Sequence, residues 1–186
     1  MASDATPIPP IPAPEPLTLE KVANHRHSAL GQIDFIRKYL LEMLGTIPTE
    51  KWKEIPAGAP THLAWQVGHI AVAEYGLLLF RQRGRAVEDL DLMPGWLRKK
   101  YGKGSTPTAE SQETPEQLLE ALHRIHECSM RTIMQLPLEQ FLEPIDMPYA
   151  VYPNKLGALL FCPLHESIHV GQIGVLRRLL GCEPIR

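Results

Sequence analysis

A chain of 186 residues, 44% hydrophobic and 22% charged, is long enough for one domain with a substantial core and has the composition of neither a fibre nor a disordered segment. A formal net charge of -2 leaves no basic excess to displace counterions, so no nucleic acid is expected as a partner. Cys128, Cys162 and Cys182 form no CxxC pair, no apolar run approaches the roughly 20 residues of a membrane span, and no signal peptide precedes Lys21; the expected setting is cytoplasmic, with no membrane.

Residues 1–17 contain Pro7, Pro9, Pro10, Pro12, Pro14 and Pro16, too dense for a helix or a core strand, and read as an extended N-terminal arm. Ile8, Ile11 and Leu17 are the groups it could lay along its own domain or across a dimer mate. Thr18 caps a first helix, about Leu19 to Leu44, in which Val22, Ala29, Ile33, Ile36, Leu40 and Met43 recur at helical steps before Gly45. Pro48, Pro56, Gly58 and Pro60 make residues 46–60 a loop. Thr61 is the expected cap of a second helix running through Leu63, Val67, Ile70, Leu77 and Phe80 to Gly84, with His62, Trp65 or Gln66, and His69 on one stripe. Residues 85–113 form a long connection with a short helix over Trp96–Tyr101, and a crossing of that length commonly covers a site or bridges bundle ends.

Thr114-Pro115-Glu116-Gln117 is a strong helix start, with Pro at the first helical position and Gln at the capping-box position, and predicts a third helix to Leu136. Residues 137–153 are a proline-rich loop with extended pieces near Ile145–Val151. A last helix runs from Asn154 to Leu180, closed by Gly181, with a kink expected at Pro163. No segment reads as a strand. Four long amphipathic helices over residues 18–182 predict a single all-α domain, a four-helix bundle with long connecting loops.

The last helix contains His165 and His169, four residues apart and so one turn apart on one face, where two imidazoles can aim at a common point. Two histidines are a weak site; a catalytic zinc takes three protein ligands and keeps a position open. His69, on the second helix, is the candidate third. Of its rivals, His62 is two turns from His69 and reads as a rim residue. His123 and His126 stand beside Leu122 and Ile125, which claim the core, and read as solvated or flanking; His25 and His27 lie on different faces.

His165-Glu166-Ser167-Ile168-His169 also matches HExxH, the metalloprotease pattern in which the glutamate is general base. The extended form with a later glycine and histidine is absent, because Gln172 and Val175 occupy those positions. A protease is therefore not expected.

Thr61-x-x-x-Trp65-x-x-x-His69, followed about a hundred residues later by His165-x-x-x-His169-x-Gly171-Gln172, Leu176-Arg177 and Gly181, resembles the DinB-like superfamily over roughly residues 18–182. That superfamily includes the YfiT-like metal-dependent hydrolases and the S-transferases that use bacillithiol or mycothiol. The resemblance implies an up-down-down-up four-helix bundle, a divalent metal, Zn or Ni, on His69, His165 and His169, and a homodimer. It leaves the reaction open.

A three-histidine metal can activate a bound water for hydrolysis or a thiol for S-transfer, so the expected function is a metal-dependent hydrolase or thiol S-transferase acting on a small-molecule substrate. A low-molecular-weight thiol would then be a co-substrate. The alternative is a bundle that binds a metal, ligand or partner without turnover. Glu166 is the candidate general base, its other role being a carboxylate that orients a histidine, and Glu74 is a weaker candidate for that orienting role. Gln172 is placed to line the pocket or join helices, Trp65 reads as core, and Cys162 as a buried inert thiol.

Overall fold

The computed structural model describes residues 16–110, 112–146, 152–183 and 185. Four long helices carry the fold: α1 (Leu19–Leu44), α2 (Leu63–Arg83), α5 (Pro115–Gln135) and α6 (Lys155–Leu179). Two short ones, α3 (Asp89–Leu92) and α4 (Gly95–Tyr101), lie in the connection between α2 and α5. Among the described residues there is no strand, only an isolated bridge between Pro144 and Asn154. The chain is all-α. α1 packs on α6, while α2 packs on α4, α5 and α6. Ile8 and Ile11 of the proline-rich arm lie outside the described residues, as does most of the extended stretch expected near Val151. Leu17 packs against the core.

The helix starts follow from local chemistry. Thr18 accepts the Lys21 N–H at 3.2 Å, Thr114 and Gln117 form a reciprocal capping box, and Asn154 accepts from the Gly157 N–H at 3.1 Å. The cap of α2 corrects the expectation: it is His62, not Thr61, whose Nδ1 accepts the Trp65 N–H at 3.1 Å. An imidazole lone pair here does the work of a hydroxyl oxygen, and Thr61 lies one residue outside. α6 runs through Pro163 without a break.

α2 departs from regular geometry over Tyr75–Phe80, which is π-helical. Two neighbouring side chains serve its carbonyls: Arg81 Nη1 donates to Gly76 O at 3.0 Å and Gln82 Nε2 to Leu77 O at 3.1 Å. At mean hydropathy 1.3, α2 is also long and apolar enough by composition to cross a membrane, which corrects the expectation that no apolar stretch approaches that length. Its most apolar window is 67% buried inside the molecule, so that surface is spent on the core.

The core has two apolar halves. Leu40, Trp52, Leu63, Val67, Tyr101 and Leu118 belong to one; Val22, Ile33, Leu78, Ile133, Phe141 and Leu159 belong to the other. Between them lies a buried polar group that the apolar periodicity hid. Arg37 of α1 donates from Nη2 to Glu74 Oε2 at 2.7 Å and engages both oxygens of Glu166, from Nε at 2.8 Å and Nη2 at 3.0 Å. His126 Nδ1 lies 2.9 Å from Glu74 Oε1. Arg37 is four residues after Ile33 and three before Leu40, on the inward stripe itself.

Candidate metal centre

The stripe of α2 formed by His62, Trp65 and His69 faces the chain that follows α4. His62 Nε2 donates to Thr108 O at 3.0 Å, Trp65 Nε1 donates to Ser105 Oγ at 2.9 Å, and His69 Nδ1 donates to Tyr101 O at 2.7 Å. Gly68 makes the close approach of α4 possible: a Cβ there would stand 2.4 Å from Tyr101 Cγ. Trp65 stacks on His69 with ring centroids 4.7 Å apart and planes 7° from parallel. The long crossing thus fixes the orientation of one histidine.

His69, His165 and His169 come together, with one ring nitrogen from each lying within 4.8 Å of the others. Their protonation can be read from their partners. A backbone carbonyl only accepts, so His69 carries its proton on Nδ1 and leaves Nε2 bare. His169 Nδ1 donates to Gln66 Oε1, and the Gln66 amide is oriented by donating from Nε2 to Thr61 Oγ1 at 3.4 Å. His169 Nε2 is therefore also a bare lone pair, and it stands 3.3 Å from His165 Nε2.

Burial lowers the pKa of all three rings. With the neighbouring imidazoles adding to burial, His165 falls to about 4 and His169 to about 3. Neutral imidazoles with converging lone pairs are the form a metal requires, and each anchored Nδ1–H is the kind of outer hydrogen bond that sets a ligand's tautomer. The donor set fits a borderline divalent cation such as Zn²⁺ or Ni²⁺.

The remaining sequence candidates fall elsewhere. Glu166 follows His165 by one residue, about 100° around the helix, which turns it toward α1. Both its oxygens are taken by Arg37, a placement that gives the general-base expectation no support. Glu74 likewise belongs to the Arg37 group. His62 is buried, not a rim residue, and its pKa is lowered chiefly by burial. His123 is exposed, while His126 flanks the core, half-buried against Glu74. Gln172 is exposed. Cys162 is buried, and burial with nearby Glu74 and Glu166 pushes its thiol well above the ordinary range, as befits an inert group. Gln66 and Tyr101 were missed as orienting partners. Gln66 was visible on the correct stripe; the Tyr101 carbonyl carries no sequence signal.

An all-helical domain with three neutral imidazoles converging from two helices is, as a class, a helical protein with a candidate divalent-metal centre. A scan of protein-family models matches residues 32–173 to the DinB superfamily, and the chain belongs to that superfamily. No curated protein matches the sequence.

Proposed function

We propose that the protein is a metal-dependent enzyme, a hydrolase or a thiol S-transferase, built on His69, His165 and His169. The observation that carries this reading is the convergence of three neutral imidazoles beside a cavity of about 700 Å³, which His69 and His165 help to line. A divalent ion held there would supply Lewis acidity, favouring the deprotonated form of a water or thiol. The chain's own residues prepare the place. Tyr101 O and Gln66 Oε1 hold two rings by their Nδ1–H groups, Trp65 covers the face of His69, and burial keeps the rings unprotonated.

Metal analysis of tag-free protein, with His69→Ala and His165→Ala beside wild type, tests the centre. The expected result is close to one Zn or Ni per chain in wild type and none in the variants; wild type that binds no divalent metal when challenged overturns it. Consumption of an electrophile only when a low-molecular-weight thiol is added assigns the S-transferase, and ester or amide cleavage without thiol assigns the hydrolase. Metal-loaded protein inert to broad panels of both would instead make this a binding bundle.

The same proposal includes a homodimer in a reducing compartment. Leu164, Ile168, Val175 and Leu179 form an exposed apolar stripe along α6, which a second copy would cover, and Cys128, Cys162 and Cys182 are unpaired. Light scattering should give twice the chain mass, and Ile168→Glu should return it to one.

A further inference from the structure

The cavity beside the histidines is charged in one sense. Arg81, Arg85, Arg98 and Lys103 line it, and among the described residues no aspartate or glutamate does. Asp89, the carboxylate that reaches the wall by accepting from the Tyr75 hydroxyl at 3.0 Å, is already paired with Arg83 at 2.7 Å. With the imidazoles neutral, the cavity is positive although the whole chain has a formal net charge of -2. The cations are also arranged by depth. Arg81 is half-buried and anchored on Gly76 O, while Arg85 and Arg98 stand exposed at the rim with no ion-pair partner among the described residues.

The remaining wall is apolar, with Leu77, Phe80 and Phe161 prominent. Phe80 is 52% exposed and presents its ring to this cavity. The π-helical stretch of α2 supplies Tyr75, Gly76, Leu77 and Phe80 to this wall, and such irregular turns are frequent at functional sites. The volume suits a small organic molecule.

We infer that this cavity takes an amphipathic organic anion. Its carboxylate, phosphate or sulfonate is held by the guanidinium groups of Arg81, Arg85 and Arg98, which present several donors to such a group, and its apolar body lies against Phe80 and Phe161. That its reactive end faces His69 and His165 rests on the metal-centre reading above; the preference for an anion does not.

Calorimetric titration of chelator-treated protein with 4-phenylbutyrate, 4-phenylbutanamide and 4-phenylbutylamine, one body with three head groups, tests it, with inorganic phosphate as a fourth probe. The anion should bind about tenfold more tightly than the amide, as a few partly exposed ion pairs together predict, and the amine most weakly. Arg85→Gln/Arg98→Gln should remove most of the difference, and raising the salt should shrink it. Equal binding of anion and amide, no binding of the anion, or a preference untouched by the double variant overturns the inference. Phosphate binding as tightly as phenylbutyrate overturns the apolar half of it. Because no metal is present, anion selectivity in a protein that fails to bind metal leaves this inference standing and removes only the metal centre.

Discussion

α2 and α6 each supply two buried polar clusters, and the two obey opposite rules. From Glu74 and Glu166, together with Arg37 and His126, they build a group in which charge meets charge and donors meet acceptors. From His69, His165 and His169 they build a group of three close neutral rings, in which His69 and His169 keep bare Nε2 lone pairs and His165 Nε2 stands 3.3 Å from that of His169. In the first, burial alone would raise the Glu74 pKa, but Arg37 and His126 outweigh it and hold the carboxylate below its ordinary range. Glu166, sharing the one guanidinium, stays raised by burial. In the second nothing outweighs burial, and all three rings are driven neutral. A satisfied cluster holds the bundle together, whereas three neutral imidazoles with ring nitrogens this close are an arrangement that a cation could join.

That contrast can be broken most forcefully at Arg37. Arg37→Met strands two buried carboxylates and should cost on the order of 3–5 kcal/mol in urea denaturation; a loss under about 1 kcal/mol would mean the group is no structural element. The histidines should behave in reverse. His165→Ala should leave metal-free stability within about 1 kcal/mol of wild type, while abolishing the gain of roughly 2.7 kcal/mol expected for wild type at a hundredfold excess of metal over Kd. Equal stabilisation of variant and wild type by metal would dissolve the distinction.

Gly68→Ala sharpens the comparison, because it forces Tyr101 away and so strikes the support of one histidine only. It should cost roughly 1–3 kcal/mol and weaken metal binding, while Arg37-dependent stability persists, as a G68A/R37M double-mutant cycle would report. The smallest effect belongs to His62. Its cap needs Nδ1 unprotonated, and its folded pKa lies below the unfolded value of about 6.5. The unfolded chain then binds the proton first as pH falls. The stabilisation is complete above about pH 6.5 and drains away toward the lower folded pKa. His62→Asn keeps a capping group without titrating, so its Tm should fall less than that of wild type between pH 7 and pH 5. Parallel pH profiles would deny the cap this role.

The sequence announced the pieces whose signal is local. Helix spacing put His165 and His169 on one face, and Thr114-Pro115-Glu116-Gln117 marked the start of α5. What stayed hidden depends on partners distant in the chain. The buried role of Arg37 had no local signal because its two carboxylates lie 37 and 129 residues away, although its place between Ile33 and Leu40 was legible on a helical wheel. His62 was passed over for Thr61 because hydroxyls are the commoner caps, and an imidazole needs its tautomer fixed, here by Thr108 O, before it can serve. The π-helical turn has no residue signature at all. It is a matter of register, set by how α2 must face α5 and α6.

That turn also divides α2 by what each part can tolerate. His69 and Glu74 precede Tyr75–Phe80, and Arg81 follows it. Removing a single residue within the turn would let it relax to a regular α-helix with the segments on either side keeping their orientations, because a π turn is one extra residue absorbed into the helix. A one-codon deletion here would thus reshape only the stretch of wall that Tyr75, Gly76, Leu77 and Phe80 supply, with His69 before it and Arg81 after it left in place.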